Sequence, residues 1–330
     1  MNSWQRLPQL TRTILILFGV NIALVALLAA LSGSFLTPRN FENLSLRMSE
    51  MGMLAIAQTL VIITGGLDLS IGAIMALAPV VTSKLYAMGV PFWLAVIGGI
   101  GSGGLVGLVN AVLIARFKMQ PIIVTLATMT IVRSLVYGLL RGRTATDFPD
   151  PFLDLVEVSI LGLPFIFVAM IVVAVMAAGM LNRTALGRSI IAVGANARTA
   201  GLAGIRVENV LFFVYIASAV IASIAGLTGT IRVQAATADA GLHAPLEVVT
   251  AVLIGGTLIT GGRGSILGAL LGVFTMLLLA NGSTLMNLSP FYQQVALGIV
   301  LIAVIGQDKF KPFTRRAGRK KHQQKGAEAT

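Results

Sequence analysis

Residues Thr59–Ala73 read TLVIITGGLDLSIGA, a hydrophobic run interrupted by two glycines, an aspartate and a serine. A charged side chain such as Asp68 costs about 2.5–3.5 kcal/mol at the centre of a bilayer on insertion scales, so it is normally paired or placed in a cavity. Irregular backbone around Gly65 and Gly66 is tolerated at membrane depth only where it faces protein or water. The stretch is typical of the interrupted membrane segments of transporters.

The composition indicates an integral membrane protein. Of the 330 residues, 56% are hydrophobic and 11% are charged, whereas soluble domains carry about 25% charged residues. The chain contains no cysteine, which excludes disulfides, thiolate metal sites and cysteine nucleophiles. Its two histidines, His243 and His322, are far apart in the sequence, and neither has a histidine partner at helical spacing. We therefore expect no metal and no cofactor.

Ten hydrophobic runs predict an all-α polytopic membrane protein with about ten transmembrane helices, several near the lower length limit for a hydrocarbon core of about 30 Å. Most basic residues fall on the cytoplasmic side if the N-terminus is cytoplasmic, in agreement with the positive-inside rule. We therefore predict that the N- and C-termini are both cytoplasmic. The predicted spans are 13–31, 50–66, 71–88, 92–115, 121–140, 162–181, 209–229, 247–262, 265–285 and 291–306.

The net charge of +12 is explained by basic residues in short loops and in the C-terminal segment, where they orient the protein and contact anionic lipid. We therefore expect no nucleic-acid partner. Residues 1–308 are predicted to form a single transmembrane domain. Residues 309–330 are predicted to form a basic, disordered cytoplasmic tail because they are polar throughout.

Three connections between the predicted spans carry polar residues. The first, before residue 50, contains Pro38 and several charged side chains and is predicted to be a loop. The second, 141–160, is rich in aspartate and predicts an acidic outer surface. The third, 182–208, is the longest inner loop. Its stretch SIIAVGANARTAGLAGI is too short and too polar to cross the membrane, so it predicts two short interfacial helices broken at Gly194 and Gly201.

Residues Thr257–Ala269, TLITGGRGSILGA, echo the first interrupted segment, since both contain T-L, then T-G-G, then G-A. Paired interrupted segments are the best sequence indicator of a transport pathway. The second copy has Arg263 and Gly264 where the first has Leu67 and Asp68. A parallel duplication is one explanation of the echo, and chance similarity among glycine-rich membrane segments is the other.

The glycines at 99–104 match the dinucleotide fingerprint G-x-G-x-x-G, but the strand and the acidic residue that this mechanism needs do not accompany them. Gly99, Gly103 and Gly107 instead share one helix face, which predicts close helix packing. The chain has no P-loop motif, and its serines, threonines and aspartates form no nucleophile–base pattern with histidine. We therefore expect no enzymatic activity in this chain.

Polar residues within the hydrophobic runs are the candidates for a transport pathway. Asp68 either lines a cavity or forms a structural pair or cap for the helix that begins near Ser70. Arg133 either lines the pathway or pairs with an acid. Asn110 and Thr125 offer polar groups to a hydroxylated solute or form interhelical hydrogen bonds. The candidate pathway residues are Gly65, Gly66, Asp68, Ser70, Asn110, Thr125, Arg133, Gly261, Gly262 and Arg263.

Four blocks of the sequence resemble the permease subunits of bacterial ABC importers for ribose, xylose, arabinose, galactose and autoinducer-2. The resemblance extends from about residue 35 to 306, with the blocks in the family's order. The blocks are TGGLDLSIGA (64–73), PIIVTLATMTIVRSL (121–135), TALGRSIIAVGANARTAGLAGI (184–205) and GGTLITGGRGSILGALLG (255–272).

The resemblance implies a ten-helix fold similar to that of the vitamin B12 importer permease, which is a type II ABC importer. It implies import of a ribose-like monosaccharide or a related solute across the bacterial inner membrane. The partners would be a periplasmic sugar-binding protein, a separate cytoplasmic ABC ATPase and a second permease, either an identical copy or a paralogue. The sequence does not select one sugar.

The resemblance also makes 182–208 a coupling loop that docks in a groove of the ATPase. Ala197, Arg198 and Gly201 stand where the family usually has Pro, Glu and Arg, which leaves the docking role intact and its detailed contacts undefined. The residues that match the family loop are Gly187, Arg188, Gly194, Asn196, Ala200, Leu202, Gly204 and Ile205.

Two other classes of function compete with the importer. An ion-coupled secondary transporter would use Asp68 to bind the coupling ion. A membrane-embedded enzyme or receptor would act without moving solute, and the sequence offers no catalytic pattern for it.

Overall fold

The computed structural model describes residues 9–289 and, beyond them, Tyr292, Val295, Gly298, Ile299 and Ile302. Apart from these five residues, the predicted span 291–306 lies outside the described part of the chain. The predicted tail 309–330 and the domain boundary at residue 308 also lie outside it.

The described residues are mostly α-helical, and the two short strands are confined to the connection that precedes α7. The first half of the chain forms α1 (Gln9–Leu31), α2 (Pro38–Ile63), α3 (Ile71–Ala87), α4 (Phe92–Ala111, continued by a π-helical turn at Val112–Arg116), α5 (Pro121–Leu140) and the single turn α6 (Asp150–Leu153). The second half forms β1 (Ser159–Ile160), β2 (Leu163–Pro164), α7 (Phe165–Arg183), α8 (Ala185–Ala195), α9 (Ala197–Leu202), α10 (Val207–Val233), α11 (Ala244–Ile254) and α12 (Ile266–Leu285).

Seven of the described helices, α1, α2, α4, α5, α7, α10 and α12, are long and apolar enough to cross a membrane. The apolar helices α3, α8 and α11 are shorter. The all-α, polytopic class is therefore confirmed for the described residues.

Helix α2 is the centre of the protein. In its most hydrophobic window 89% of the residues are buried, against 17% in α1 and 28% in α5. It packs against α7, α10, α11 and α12, while α3, α4 and α10 pack against one another beside it and α1 lies on α12. Lipid tails are as apolar as the side chains, so the hydrophobic effect does not drive helices together within the membrane. Contacts between helices there depend on close packing and on polar pairs.

The glycine face of α4 confirms the predicted close packing. Gly99, Gly103 and Gly107 are buried. A Cβ on Gly99 would overlap the backbone and Thr82 of α3, and one on Gly103 would overlap Ser223 of α10. The G-x-G-x-x-G match therefore belongs to a helix interface, and the absence of side chains lets three helices approach one another.

The predicted loop before residue 50 was wrong, because α2 begins at Pro38. Thr37 precedes the helix in an extended conformation, its side chain accepts a hydrogen bond from the Asn40 amide, and Pro38 occupies the first helical position. These are start signals for a helix. The charged residues Arg39 and Glu42 lie on its exposed side, so they do not interrupt it.

The predicted span 247–262 is not one continuous helix. α11 ends at Ile254, and residues 255–265 form a non-helical connection to α12. Hydropathy cannot detect this end because Leu258 and Ile259 continue the apolar run beyond it.

The two echoing segments end their helices in the same way, although the shared letters do not occupy equivalent positions. Gly65 follows α2 with φ 84°, and Gly256 follows α11 with φ 86°. Both amides donate to a carbonyl three residues earlier, at 2.9 Å and 3.0 Å. This left-handed conformation strongly favours glycine. Gly261 is therefore not the counterpart of Gly65, because it lies in the middle of the second connection.

The predicted pair of short helices in 182–208 is confirmed, but their predicted break points were wrong. Gly194 lies inside α8 and Gly201 inside α9, and the chain breaks between them at Asn196. Asn196 is extended, and its side chain accepts a 2.9 Å hydrogen bond from the Thr199 amide. An asparagine that starts a second helix therefore separates the two, where glycine was expected to do so.

Candidate functional site

A buried polar cluster forms where the chain passes from α2 to α3. The Asp68 side chain is fully buried. Its Oδ1 atom accepts hydrogen bonds from the Ser70 amide at 2.9 Å and the Ser70 hydroxyl at 2.5 Å. Its Oδ2 atom lies 3.5 Å from the hydroxyl of Ser218 on α10. The carboxylate thus braces the turn before α3 and also reaches a second helix.

Two more of the predicted pathway residues join this cluster. Asn110 of α4 donates from Nδ2 to the Ser70 hydroxyl at 3.0 Å. Thr125 of α5 donates from its hydroxyl to the Leu67 carbonyl at 3.1 Å. The segment 66–70 is therefore held by polar groups from α4, α5 and α10.

Polar atoms without a protein partner lie in the same region. Within the described residues, the Tyr215 hydroxyl and the Asn110 Oδ1 atom are buried and have no hydrogen-bond partner. The Tyr215 hydroxyl approaches the backbone so closely at Gly66 that a Cβ there would overlap it. A buried polar group without a partner destabilises the folded protein. These atoms are therefore candidates for hydrogen bonds with something other than the protein, such as a transported solute.

A second group of predicted residues forms what we call the glycine junction: Ile63–Gly65, Gly194–Ala195 and Gly261–Gly262. The Gly262 amide donates a 2.8 Å hydrogen bond to the Ile63 carbonyl. A Cβ on Gly194 would overlap that same carbonyl and lie 2.6 Å from the Gly262 nitrogen. A Cβ on Gly261 would lie 2.7 Å from the Gly65 nitrogen. Three distant segments therefore meet backbone to backbone.

Arg133 lies apart from both groups. It is 9% exposed on α5 and donates from Nη1 to the carbonyls of Ala238 and Ala240, the latter at 2.7 Å. Its neighbour Tyr137 donates to Asp239 at 2.5 Å. Arg133 therefore fixes the connection between α10 and α11. Arg263 lies in the connection before α12, where its carbonyl accepts from the Leu258 amide at 3.0 Å.

The predicted coupling residues divide into internal and exposed positions. Gly187 packs against the backbone end of α7, where a Cβ would overlap the carbonyls of Met180 and Leu181, and Ala200 is 4% exposed. The Ile205 amide donates to the Ala200 carbonyl at 3.0 Å after the turn at Gly204. Arg188 is exposed and Leu202 is 85% exposed, so these two side chains are available to a partner.

Three features of the structure were not identified from the sequence: the roles of Ser218 and Tyr215, and an ion pair. Ser218 and Tyr215 lie in an ordinary apolar stretch of α10 and complete the Asp68 cluster from more than a hundred residues away. Buried Glu50 of α2 and partly exposed Arg232 of α10 form an ion pair with 2.5 Å between Oε1 and Nε. Glu50 is one of several charged residues in the first half of α2, and Arg232 is a single base in the last turn of an apolar helix, so nothing in the sequence joins them.

Known proteins resemble the chain over most of its length. Residues 40–305 match the family model described as "Branched-chain amino acid transport system / permease component". The ribose import permease protein RbsC of Bacillus subtilis is 37% identical over 290 residues, which cover 87% of this chain and 90% of that protein. The L-arabinose ABC transporter permease protein AraH of Azospirillum brasilense is 33% identical over 302 residues, 91% of this chain and 89% of that protein.

The D-allose transport system permease protein AlsC of Escherichia coli is 32% identical over 294 residues, which cover 88% of this chain and 90% of that protein. No solved structure matches the chain significantly.

Proposed function

Because this chain belongs to the family of branched-chain amino acid transport system permease components, we propose that it is the transmembrane permease subunit of an ATP-binding cassette importer. It is a multi-pass protein of the bacterial inner membrane. Its substrate is a ribose-like monosaccharide or a related solute. The observation that carries this proposal is the similarity to three sugar-import permeases over nearly nine-tenths of the chain.

The proposed topology has ten helices in one transmembrane domain, residues 1–308, with both termini cytoplasmic and a fold similar to the vitamin B12 importer permease. Two contacts between connections that are predicted to lie on the same side of the membrane support this topology. Arg116 after α4 lies 3.5 Å from Glu208 at the start of α10, and both are on the predicted cytoplasmic side. Ala145 and Ala236 exchange two 2.9 Å backbone hydrogen bonds in the two connections predicted to be outside.

ATP hydrolysis in this proposal belongs to a separate cytoplasmic ATPase that docks on α8 and α9. The exposed side chains of Arg188 and Leu202 support this site, because an 85% exposed leucine outside the apolar helices has no apolar surroundings of its own. A periplasmic sugar-binding protein delivers the solute. A second permease, identical or paralogous, completes the transmembrane part.

The transport pathway in this proposal passes the segment 64–70 and the connection 255–265. Asp68, Ser70, Asn110 and Thr125 gather around the first of these, and Gly261, Gly262 and Arg263 belong to the second. The Asp68 carboxylate is fully buried within this chain. Arg133 acts at the other end by holding the connection between α10 and α11.

The experiment that tests the proposed function is co-purification. The tagged chain is extracted from its native membrane in mild detergent, and the proteins that accompany it are identified. A P-loop ATPase in fixed stoichiometry supports the importer, and the number of permease chains for each complex decides between a homodimer and a heterodimer. A chain that stays alone in several gentle detergents and still moves solute without ATP would instead be an ion-coupled carrier.

A further inference from the structure

The glycine junction joins the predicted ATPase-docking helix to both interrupted segments at once. The side chain of Ile63 and that of Val193 from α8 belong to the same buried apolar cluster. The Ile63 carbonyl binds the Gly262 amide, and Gly194 packs on both groups. The three segments at Ile63, Gly194 and Gly262 therefore contact one another through their main chains.

Backbone-to-backbone contacts transmit a displacement of one segment directly to the next. Long side chains absorb small movements by changing rotamer, whereas hydrogen-bonded backbones in van der Waals contact cannot, since packed interiors have low compressibility. A shift of α8 would therefore move the end of α2 and the connection 255–265 together. Five residues after Ile63 lies Asp68, whose carboxylate accepts from Ser70 directly before α3 and lies near Ser218 of α10.

We propose that the glycine junction is the relay that passes ATP-driven movement of α8 to the transport pathway, with Gly194, Gly262 and Ile63 as its positioning residues. The proposal rests on the proposed function, because it needs an ATPase that acts on α8. Beyond that function, the proposal states that α8 acts through backbone contacts on two helix breaks, the end of α2 at Ile63–Gly65 and the connection 255–265. Moving the two breaks apart from each other requires loss of the Gly262–Ile63 hydrogen bond.

The sharpest perturbation is Gly264→Ala. Its Cβ would lie 2.7 Å from Ile63 Cγ1 and 2.8 Å from Thr257 Cγ2, which are both side-chain atoms. The substitution therefore displaces the junction without placing an atom on a carbonyl, as Gly194→Ala would. The matched control is Gly179→Ala in α7, where a Cβ meets no atom within 4 Å.

The measured quantity is solute taken up for each ATP hydrolysed, using the permease–ATPase complex in proteoliposomes. The probes are radiolabelled ribose, arabinose, allose and fructose, added with a periplasmic fraction. Gly264→Ala should lower this ratio about tenfold, within the range by which single changes alter coupling. Gly179→Ala should leave it unchanged. The double variant Ile63→Ala/Gly264→Ala, which removes the clash with Ile63 and leaves only the one with Thr257, should recover part of the ratio.

A ratio for Gly264→Ala within twofold of the unmodified protein would overturn the relay, as would a double variant with Ile63→Ala whose ratio is no higher than that of Gly264→Ala alone. Loss of the ATPase from the Gly264→Ala complex would also overturn it, because the junction would then be an assembly element. Failure of the proposed function looks different. In that case the unmodified complex itself shows no ATP-dependent uptake.

Discussion

Arg232 donates to both carboxylate oxygens of Glu50, from Nε at 2.5 Å and from Nη2 at 3.3 Å. The Glu50 side chain is only 5% exposed, while that of Arg232 is 31% exposed. The pair connects the centre of α2 to the last turn of α10. The same two helices also contribute to the Asp68 cluster, because Asp68 lies just after α2 and Ser218 lies on α10. Removing Arg232 would leave the charge of Glu50 buried and unpaired.

The first prediction concerns this ion pair. Arg232→Ala should destabilise the protein by about 2–3 kcal/mol, somewhat below the usual 3–5 kcal/mol for breaking a buried pair because Arg232 keeps some solvent contact. The double variant Glu50→Gln/Arg232→Ala should be more stable than the single one, since no charge is left unpaired. Thermal unfolding in detergent measures both, with Arg39→Ala on the exposed side of α2 as the control. A double variant less stable than the single one would contradict the prediction.

The second prediction separates the two roles of Asp68. Asp68→Asn keeps an oxygen acceptor for the Ser70 amide but removes the negative charge, so folding and expression should be preserved. Solute uptake should fall about tenfold if the carboxylate serves the pathway, a loss equivalent to roughly 1.4 kcal/mol. Exposed Asp154, changed to Asn, provides the control. Unchanged uptake at unchanged expression would make Asp68 a structural brace for the start of α3.

The third prediction concerns the docking site of the ATPase. Leu202→Asp and Arg188→Ala should each reduce the amount of ATPase that co-purifies, while insertion of the chain in the membrane stays intact, because both side chains are exposed. Leu161 is 99% exposed in the connection before α7, and Leu161→Asp should leave the ATPase bound. Full retention of the ATPase by Leu202→Asp together with normal uptake would move the docking site elsewhere.

Deletion of residues 194–204 is a harsher test of the same loop. It should abolish coupling, because it removes Gly194 from the glycine junction as well as the exposed Leu202. Uptake is the measurement, and a deletion variant that transports normally would refute both roles of the loop.

The fourth prediction concerns helix packing. Gly103→Ala should destabilise the protein by about 1–3 kcal/mol, the usual cost of overpacking, because its Cβ would overlap the Ser223 hydroxyl. Gly101→Ala, where a Cβ meets nothing within 4 Å, should be neutral or slightly stabilising. Adding Ser223→Ala to Gly103→Ala should restore part of the lost stability. Equal midpoints of thermal unfolding for the two glycine variants would show that the α3–α4–α10 contact is looser than described.

The local features of the fold were predictable from the sequence where a single residue decides them. Irregular backbone was expected around Gly65 and Gly66, and Gly65 follows α2 in a left-handed conformation that strongly favours glycine. Thr125 and Asn110, which the sequence singled out as polar residues in apolar runs, lie in the same cluster as Asp68. The starts and ends that hydropathy cannot detect were missed. Pro38 begins α2 within polar sequence, and α11 ends at Ile254 within apolar sequence.

The long-range features could not be predicted from one sequence. The Glu50–Arg232 pair, the approach of Tyr215 to Gly66 and the glycine junction all depend on how distant helices pack against one another. The T-G-G echo was a useful indicator nonetheless. It led to two connections that touch, although Gly256, not Gly261, is the structural counterpart of Gly65.

The most direct test of the importer is uptake into proteoliposomes that contain this chain with its co-purified ATPase, with ionophores present to dissipate all ion gradients. We expect uptake of a monosaccharide that requires ATP and a periplasmic fraction and continues when the gradients are gone. Uptake that stops with the ionophores, or that proceeds on an ion gradient without ATP, would contradict the ATP-driven import on which the proposed function depends.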